Sequence, residues 1–274
     1  MRCLLLAAGA LLLQAGSPDA RQIVRKSIEL DHVNWVRMKD YTWTARQTTR
    51  RLDSAGRIAS TDREAWETVI LFGTPYRREL ERDGRPLSAE QQKKEQDKID
   101  RATAKLERES PEDRARHLAD YEKQREKDRE FLREIPDAFD FKLTGEESID
   151  GRAAWVVAAS PKPGYRAKHA DARAFAKIEG TIWIDQTEYQ WVRIRARTLA
   201  TISWGWFLAR LNPGATVDFE QERVNDEVWL PKREVLSGSG RLAAVKRISE
   251  QQEILFTDYR KFHVDSKIVG GAVN

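Results

Sequence analysis

Residues 139–159 read FDFKLTGEESIDGRAAWVVAA, and this stretch decides the fold class. Phe139, Phe141, Leu143 and Ile149 alternate with Asp140, Lys142, Thr144 and Ser148, the period of two that puts apolar side chains on one face of a strand. Asp150 and Gly151 then offer the pair that a tight hairpin turn favours, because both tolerate positive φ. Ala153, Trp155, Val157 and Ala159 return with the same period. The reading is an antiparallel hairpin with one apolar and one polar face.

The same signature recurs on both sides of this hairpin. Downstream, KIEGTIWID (177–185) is followed by QWVRIRART (190–198), where Val192, Ile194 and Ala196 face one way and Arg193, Arg195 and Arg197 the other. Further strands fit TVDFEQERV (216–224), VWLPKREVL (228–236), AVKRISEQQ (244–252) and ILFTDYRKF (254–262), with Asn225-Asp226 and Gly238–Gly240 as breaks. Upstream, TWTARQTTR (42–50) is rich in Thr and aromatics; a second strand places Trp66, Thr68, Ile70 and Phe72 on one face, and a third runs over 76–82. The total is ten or eleven antiparallel strands. One large, strongly curved sheet accounts for them better than two packed domains, so the expected class is mainly β with helices (α+β).

Two segments depart from the strand pattern. Residues 21–38 space Ile23, Val24, Ile28, Leu30 and Trp35 as one amphipathic helix, which needs an apolar surface to lie on. Residues 88–134 are different in kind, since 27 of these 47 are charged. Ser88 with Gln91 forms a capping-box pattern, and Ser110-Pro111-Glu112-Asp113 starts a second helix, so the insert reads as a helical hairpin. Its apolar seam is thin. The expectation is a solvated arm projecting from the domain, with a partner-docking arm as the alternative.

The chain has 274 residues, with 48 Lys and Arg against 44 Asp and Glu, a net charge of +4. Acids and bases alternate along nearly every segment rather than gathering on one face, which argues against a nucleic-acid partner. Residues 1–20 read as a secretory signal peptide: Arg2, the apolar run LLLAAGALLL at 4–13, then small residues at Ala15 and Ser17. Ten apolar residues are half of what a membrane span needs. Cys3 is the one cysteine and falls inside that leader, so the exported chain of 21–274 would have no disulfide.

No residue pattern announces a reaction. Four histidines, His32, His117, His169 and His263, have no metal-site spacing between them, and there is no phosphate loop, dinucleotide fingerprint or nucleophile elbow. His169 with Asp171 and His263 with Asp265 are the pairs that a hydrolase reading would use. No catalytic residue, metal or cofactor is therefore expected. What stands out is aromatic: nine tryptophans, including Trp204 and Trp206 in the apolar run ISWGWFL (202–208). That run is either a buried crossing segment or a flap carrying Trp204, Trp206 and Phe207.

The amphipathic first helix, the strand-rich body with GTIWID and QWVRIRA, VNDEVWLPK, and the final YRKFHVDSKI together resemble the LolA-like group of periplasmic lipoprotein carriers, over roughly residues 21–268. The similarity is to its outer membrane lipoprotein-sorting protein-like sequences. It implies an incomplete antiparallel barrel around an apolar cavity covered by helices, with acyl chains as ligands. The 88–134 hairpin is an addition to the basic carrier. The ligand-facing set is expected among Trp35, Trp43, Trp66, Phe72, Trp155, Ile182, Ile184, Ile194 and Phe219. The resemblance also leaves open a regulatory module that binds a partner protein, through 88–134, and senses envelope lipids.

Overall fold

The computed structural model describes residues 18–204, 209–242 and 246–262. The expected leader falls almost wholly outside them, as do Trp206, Phe207 and His263. The first element is helix α1, Ala20–Met38. Asp19 caps it by accepting from the Arg21 backbone N–H at 3.0 Å, and Arg37 in the last turn suits the negative end of the helix dipole. Ala20, Ile23, Val24, Ser27 and Asn34 are its buried positions, one stripe at helical spacing.

Strands β1 (Tyr41–Leu52), β2 (Ile58–Leu71), β3 (Thr74–Arg82) and the two-residue β4 (Arg85–Pro86) follow. Helices α2 (Ala89–Glu107), α3 (Pro111–Arg129) and the single turn α4 (Ile135–Ala138) come next. Apart from a 3-10 helix at Asp171–Lys177, the elements that follow are strands: β5 (Phe139–Ile149), β6 (Arg152–Pro161), β7 (Ile178–Asp185), β8 (Trp191–Thr198), β9 (Ile202–Trp204), β10 (Ala209–Leu211), β11 (Thr216–Val224), β12 (Val228–Leu242) and β13 (Lys246–Lys261). Eleven strands hydrogen-bond in the order β4-β3-β2-β1-β13-β12-β11-β8-β7-β6-β5, all antiparallel. The β9–β10 hairpin attaches to β12. The two ends of the order do not pair, so the curved sheet is open, as the resemblance implies.

Three local expectations change. Gly238 and Gly240 do not break a strand but lie inside β12, because the chain needs the space a side chain would fill. A Cβ on Gly238 would come within 2.7 Å of the Ala215 Cβ, and one on Gly240 would collide with the Arg210 carbonyl of β10. Segments 244–252 and 254–262 likewise fuse into the single strand β13. Phe72 leaves the face it was expected to share with Trp66: it sits in the β2–β3 turn at φ 49°, followed by Gly73 at φ 86°.

The charged hairpin forms with both predicted caps. Ser88 and Gln91 exchange hydrogen bonds of 2.8 and 3.3 Å, and Ser110 Oγ accepts from the Asp113 N–H at 3.1 Å. Its second arm does not project into solvent. Helix α3 lies along α1, joined by Lys39–Glu122, Asp31–Arg129 and, at 3.8 Å, His32–Glu126. Trp35 is stacked against the guanidinium groups of Arg125 and Arg129 at 4.1 and 4.0 Å. None of the residues of α3 is fully buried, so polar contacts do the joining that the thin apolar seam cannot.

Candidate functional site

The face of the sheet under α1 sets the geometry. Ile23 and Val24 pack with Trp155, Val157, Ile182 and Ile184, supported from the side by Ile135, Ala138 and Phe139. Val24, Val157 and Ile184 are wholly excluded from solvent. Polar bonds fix the helix at both ends. Arg21 donates to the carbonyls of Pro136 (2.7 Å) and Phe139 (3.2 Å), while Asn34 donates to the Trp229 carbonyl (2.9 Å) and accepts from its N–H (2.7 Å). Asn34 thus satisfies β12 as a neighbouring strand would.

Directly opposed residues of antiparallel strands share a face, so the register carries this surface across the sheet. Val157 opposes Ile182, then Ile194, Phe219, Glu234, Ile254 and Gln47 in turn. A second row runs through Ala196, Val217, Leu236 and Gln252. A third joins Phe256 to Ala45 and Trp66, with the Trp43 ring set edge-on to Phe256 at 6.4 Å. Burial falls away along these rows. Ile184 is sealed, Phe219, Ile254 and Phe256 are half-buried, and Leu236 is 38% exposed. The apolar face therefore outruns the helix that covers it.

Among the residues expected to face a ligand, Trp155, Ile182 and Ile184 lie beneath α1, with Trp155 against Tyr189 at 5.0 Å. Ile194 stands at the border, and Phe219, Trp43 and Trp66 lie in the open part; Arg77 covers the Trp66 ring at 3.6 Å. Trp35 and Phe72 are elsewhere. Trp35 faces α3, and Phe72 meets Arg114 of α3 at 4.6 Å. Trp204 ends β9.

Sequence periodicity did not single out Glu234, Ile254 or Phe256. For Glu234 the reason lies in β12, where a bulge places Lys232 between the pairs Pro231–Gln221 and Arg233–Glu220 and so shifts the alternation. The signal available in the sequence was Pro231 inside a strand pattern, which is where bulges occur. Glu234 is half-buried, and desolvation alone raises its pKa.

The opposite face carries a second buried apolar cluster, Ala154, Val156, Trp183, Val192 and Trp229, and beside it rows of charge. Arg193 binds Glu220 at 3.0 Å, Arg195 binds Asp218 at 2.8 Å, Arg197 binds Glu179 at 2.6 Å and Arg233 binds Glu253 at 2.8 Å. A hollow of about 710 Å³ lies among these ladders, lined by Arg195, Arg197, Arg233, Asp218 and Glu179. Ala158, Thr181, Val217 and Val235 line it as well, so its walls mix paired ions with apolar patches, unlike the predominantly apolar lining that suits an acyl chain.

His169 belongs to a structural cluster. The buried Glu134 accepts from the Tyr165 hydroxyl (2.6 Å) and the backbone N–H groups of Lys168 (2.9 Å) and His169 (2.8 Å). Burial pushes the Glu134 pKa up, but these three donors outweigh it and hold the carboxyl below its usual value. Among the described residues no group of three His, Cys, Asp or Glu side chains could hold a metal ion, and no described helix is long and apolar enough to cross a membrane.

No family model matches the chain, and no curated protein matches it by sequence. Solved structures do. A candidate outer membrane lipoprotein-sorting protein domain from Vibrio parahaemolyticus is similar at 9% identity and a TM-score of 0.34, covering 91% of this chain and 95% of that one. The LolA superfamily protein NE2245 from Nitrosomonas europaea is similar at 9% identity and 0.31, covering 90% and 95%. The MucA/MucB complex from Pseudomonas aeruginosa contains a chain similar at 12% identity and 0.23, covering 89% and 99%. At these scores the fold rests on the strand order and register above. The first two descriptions fall in the group that the sequence resembles.

Proposed function

We propose that the chain is a periplasmic carrier or binding protein for lipid-like ligands, lipoprotein acyl chains among them, and that the ligand lies on the open part of the α1-covered face. The observation that supports this reading is the continuation of one apolar face, through Ile194, Phe219, Ile254 and Phe256, beyond the helix that seals its first half. Burying apolar surface is worth about 0.8 kcal/mol per CH₂, so a C16 chain gains on the order of 10 kcal/mol before the costs of association. No chemical step is needed. Such a ligand binds by covering what α1 leaves open, and it can leave without unfolding the sealed half.

Native mass spectrometry on protein purified gently from the periplasm, followed by organic extraction, tests the reading. A stoichiometric lipid or acylated peptide is the expected result. Protein that stays ligand-free after incubation with envelope lipids and lipoproteins contradicts it. The partner-binding alternative draws on α2 and α3, which keep charged, exposed surfaces such as Lys93, Arg101 and Lys105 even where α3 lies along α1. Neutralising those charges removes partner capture under that alternative and leaves lipid uptake unchanged under the first.

A further inference from the structure

Glu234 is the one charged side chain in the row between Val157 and Gln47, through Ile182, Ile194, Phe219 and Ile254; the next position beyond Gln47 is Glu64, which is paired with Arg77 at 3.0 Å. It is flanked by Phe219 on one side and Ile254 on the other, with Leu236 two residues along its own strand. It has no hydrogen-bond or ion-pair partner among the described residues, although the sheet around it is dense with cations. Those cations are committed elsewhere. Arg233 binds Glu253 on the opposite face, and Lys232, the bulged residue, binds Asp150 at 2.9 Å. The Gln47 amide, next after Ile254 in the row, donates to Thr49 at 3.1 Å.

An unpaired carboxylate is tolerable here only because the face above it is open to water. An acyl chain laid over Phe219 and Ile254 would remove that water and leave the charge unpaired in an apolar site, which opposes binding. A ligand that brings its own cation would gain where a neutral or anionic one loses. We propose that Glu234 makes this face selective for cationic amphiphiles, those in which a primary or quaternary ammonium lies beside an alkyl or acyl chain. The inference rests on the lipid-binding reading above and names the ligand class within it.

Three probes with the same twelve-carbon chain and different heads separate the possibilities: dodecyltrimethylammonium, dodecyl maltoside and dodecyl sulfate, each titrated calorimetrically below its micelle concentration. The ammonium probe should bind roughly tenfold more tightly than the maltoside, the size of one charge-assisted contact at a half-buried site. Glu234→Gln should erase that preference, leave the maltoside within about twofold and strengthen the sulfate, with the circular dichroism spectrum unchanged. Glu90→Gln, on the exposed side of α2, should leave all three affinities unchanged. The inference is overturned if wild-type protein shows no ammonium preference, if the preference survives Glu234→Gln, or if Glu90→Gln reduces it equally. Failure of every probe to bind would instead overturn the lipid-binding reading itself, and the inference with it.

Discussion

The same sheet face has two halves, and they differ in cover rather than in composition. Under α1, Val157, Ile182 and Ile184 are sealed by Ile23 and Val24 and act as core. Beyond α1, Phe219, Ile254 and Phe256 continue the surface at half burial around a lone carboxylate. A helix of 19 residues spans about 28 Å at 1.5 Å per residue, and this one reaches β5 and β7 with its first half and Trp229 at the start of β12 with its last turns, within an eleven-strand sheet. The stabilising core and the proposed binding surface thus lie on separate parts of one face.

That separation can be broken most directly by truncation. Ile184→Ala should cost about 2–5 kcal/mol, as expected for a sealed aliphatic that leaves a cavity, whereas Phe219→Ala should cost well under half as much and reduce lipid affinity. Urea titration of both variants checks this; equal losses would mean the two halves are one core. Asn34→Ala should come next, at about 2–3 kcal/mol, because it orphans the buried N–H and carbonyl of Trp229. Faster hydrogen exchange at the Trp229 amide would locate the loss.

Acid should unsettle the sealed half through Glu134. Its folded-state pKa lies below the unfolded value, so its contribution is intact above the unfolded value and is lost as pH falls through the folded one. Glu134→Gln should therefore flatten the acid limb of a stability–pH curve and lower stability at neutral pH by about 1–2 kcal/mol. The smallest effect should be that of Arg129→Ala, about 0.5–1 kcal/mol from the lost stacking on Trp35 and the half-buried pair with Asp31. Thermal melts check it, and a loss several times larger would make α3 part of the core.

Strand alternation and turn chemistry made most of the fold legible: the 139–159 hairpin, the amphipathic first helix and both caps of the charged insert follow from local rules. Contacts distant in sequence were not legible. Nothing near Gly238 or Gly240 announces that Ala215 and Arg210 crowd them, and nothing in α3 announces that its charges meet Asp31 and Lys39. The candidate site was partly legible, since Ile194, Phe219, Trp43 and Trp66 follow from alternation. Glu234 did not, because the bulge at Lys232 resets the phase that alternation depends on.

Isoleucine methyl groups report on both halves at once, so a methyl NMR titration with dodecyl maltoside tests the central claim most directly. The Ile254 and Ile194 resonances should shift in a saturable, one-to-one manner while those of Ile182, Ile184 and Ile23 stay in place. Shifts led by the sealed set, or shifts spread equally over all of them, would contradict the division of one face into a core and a binding surface.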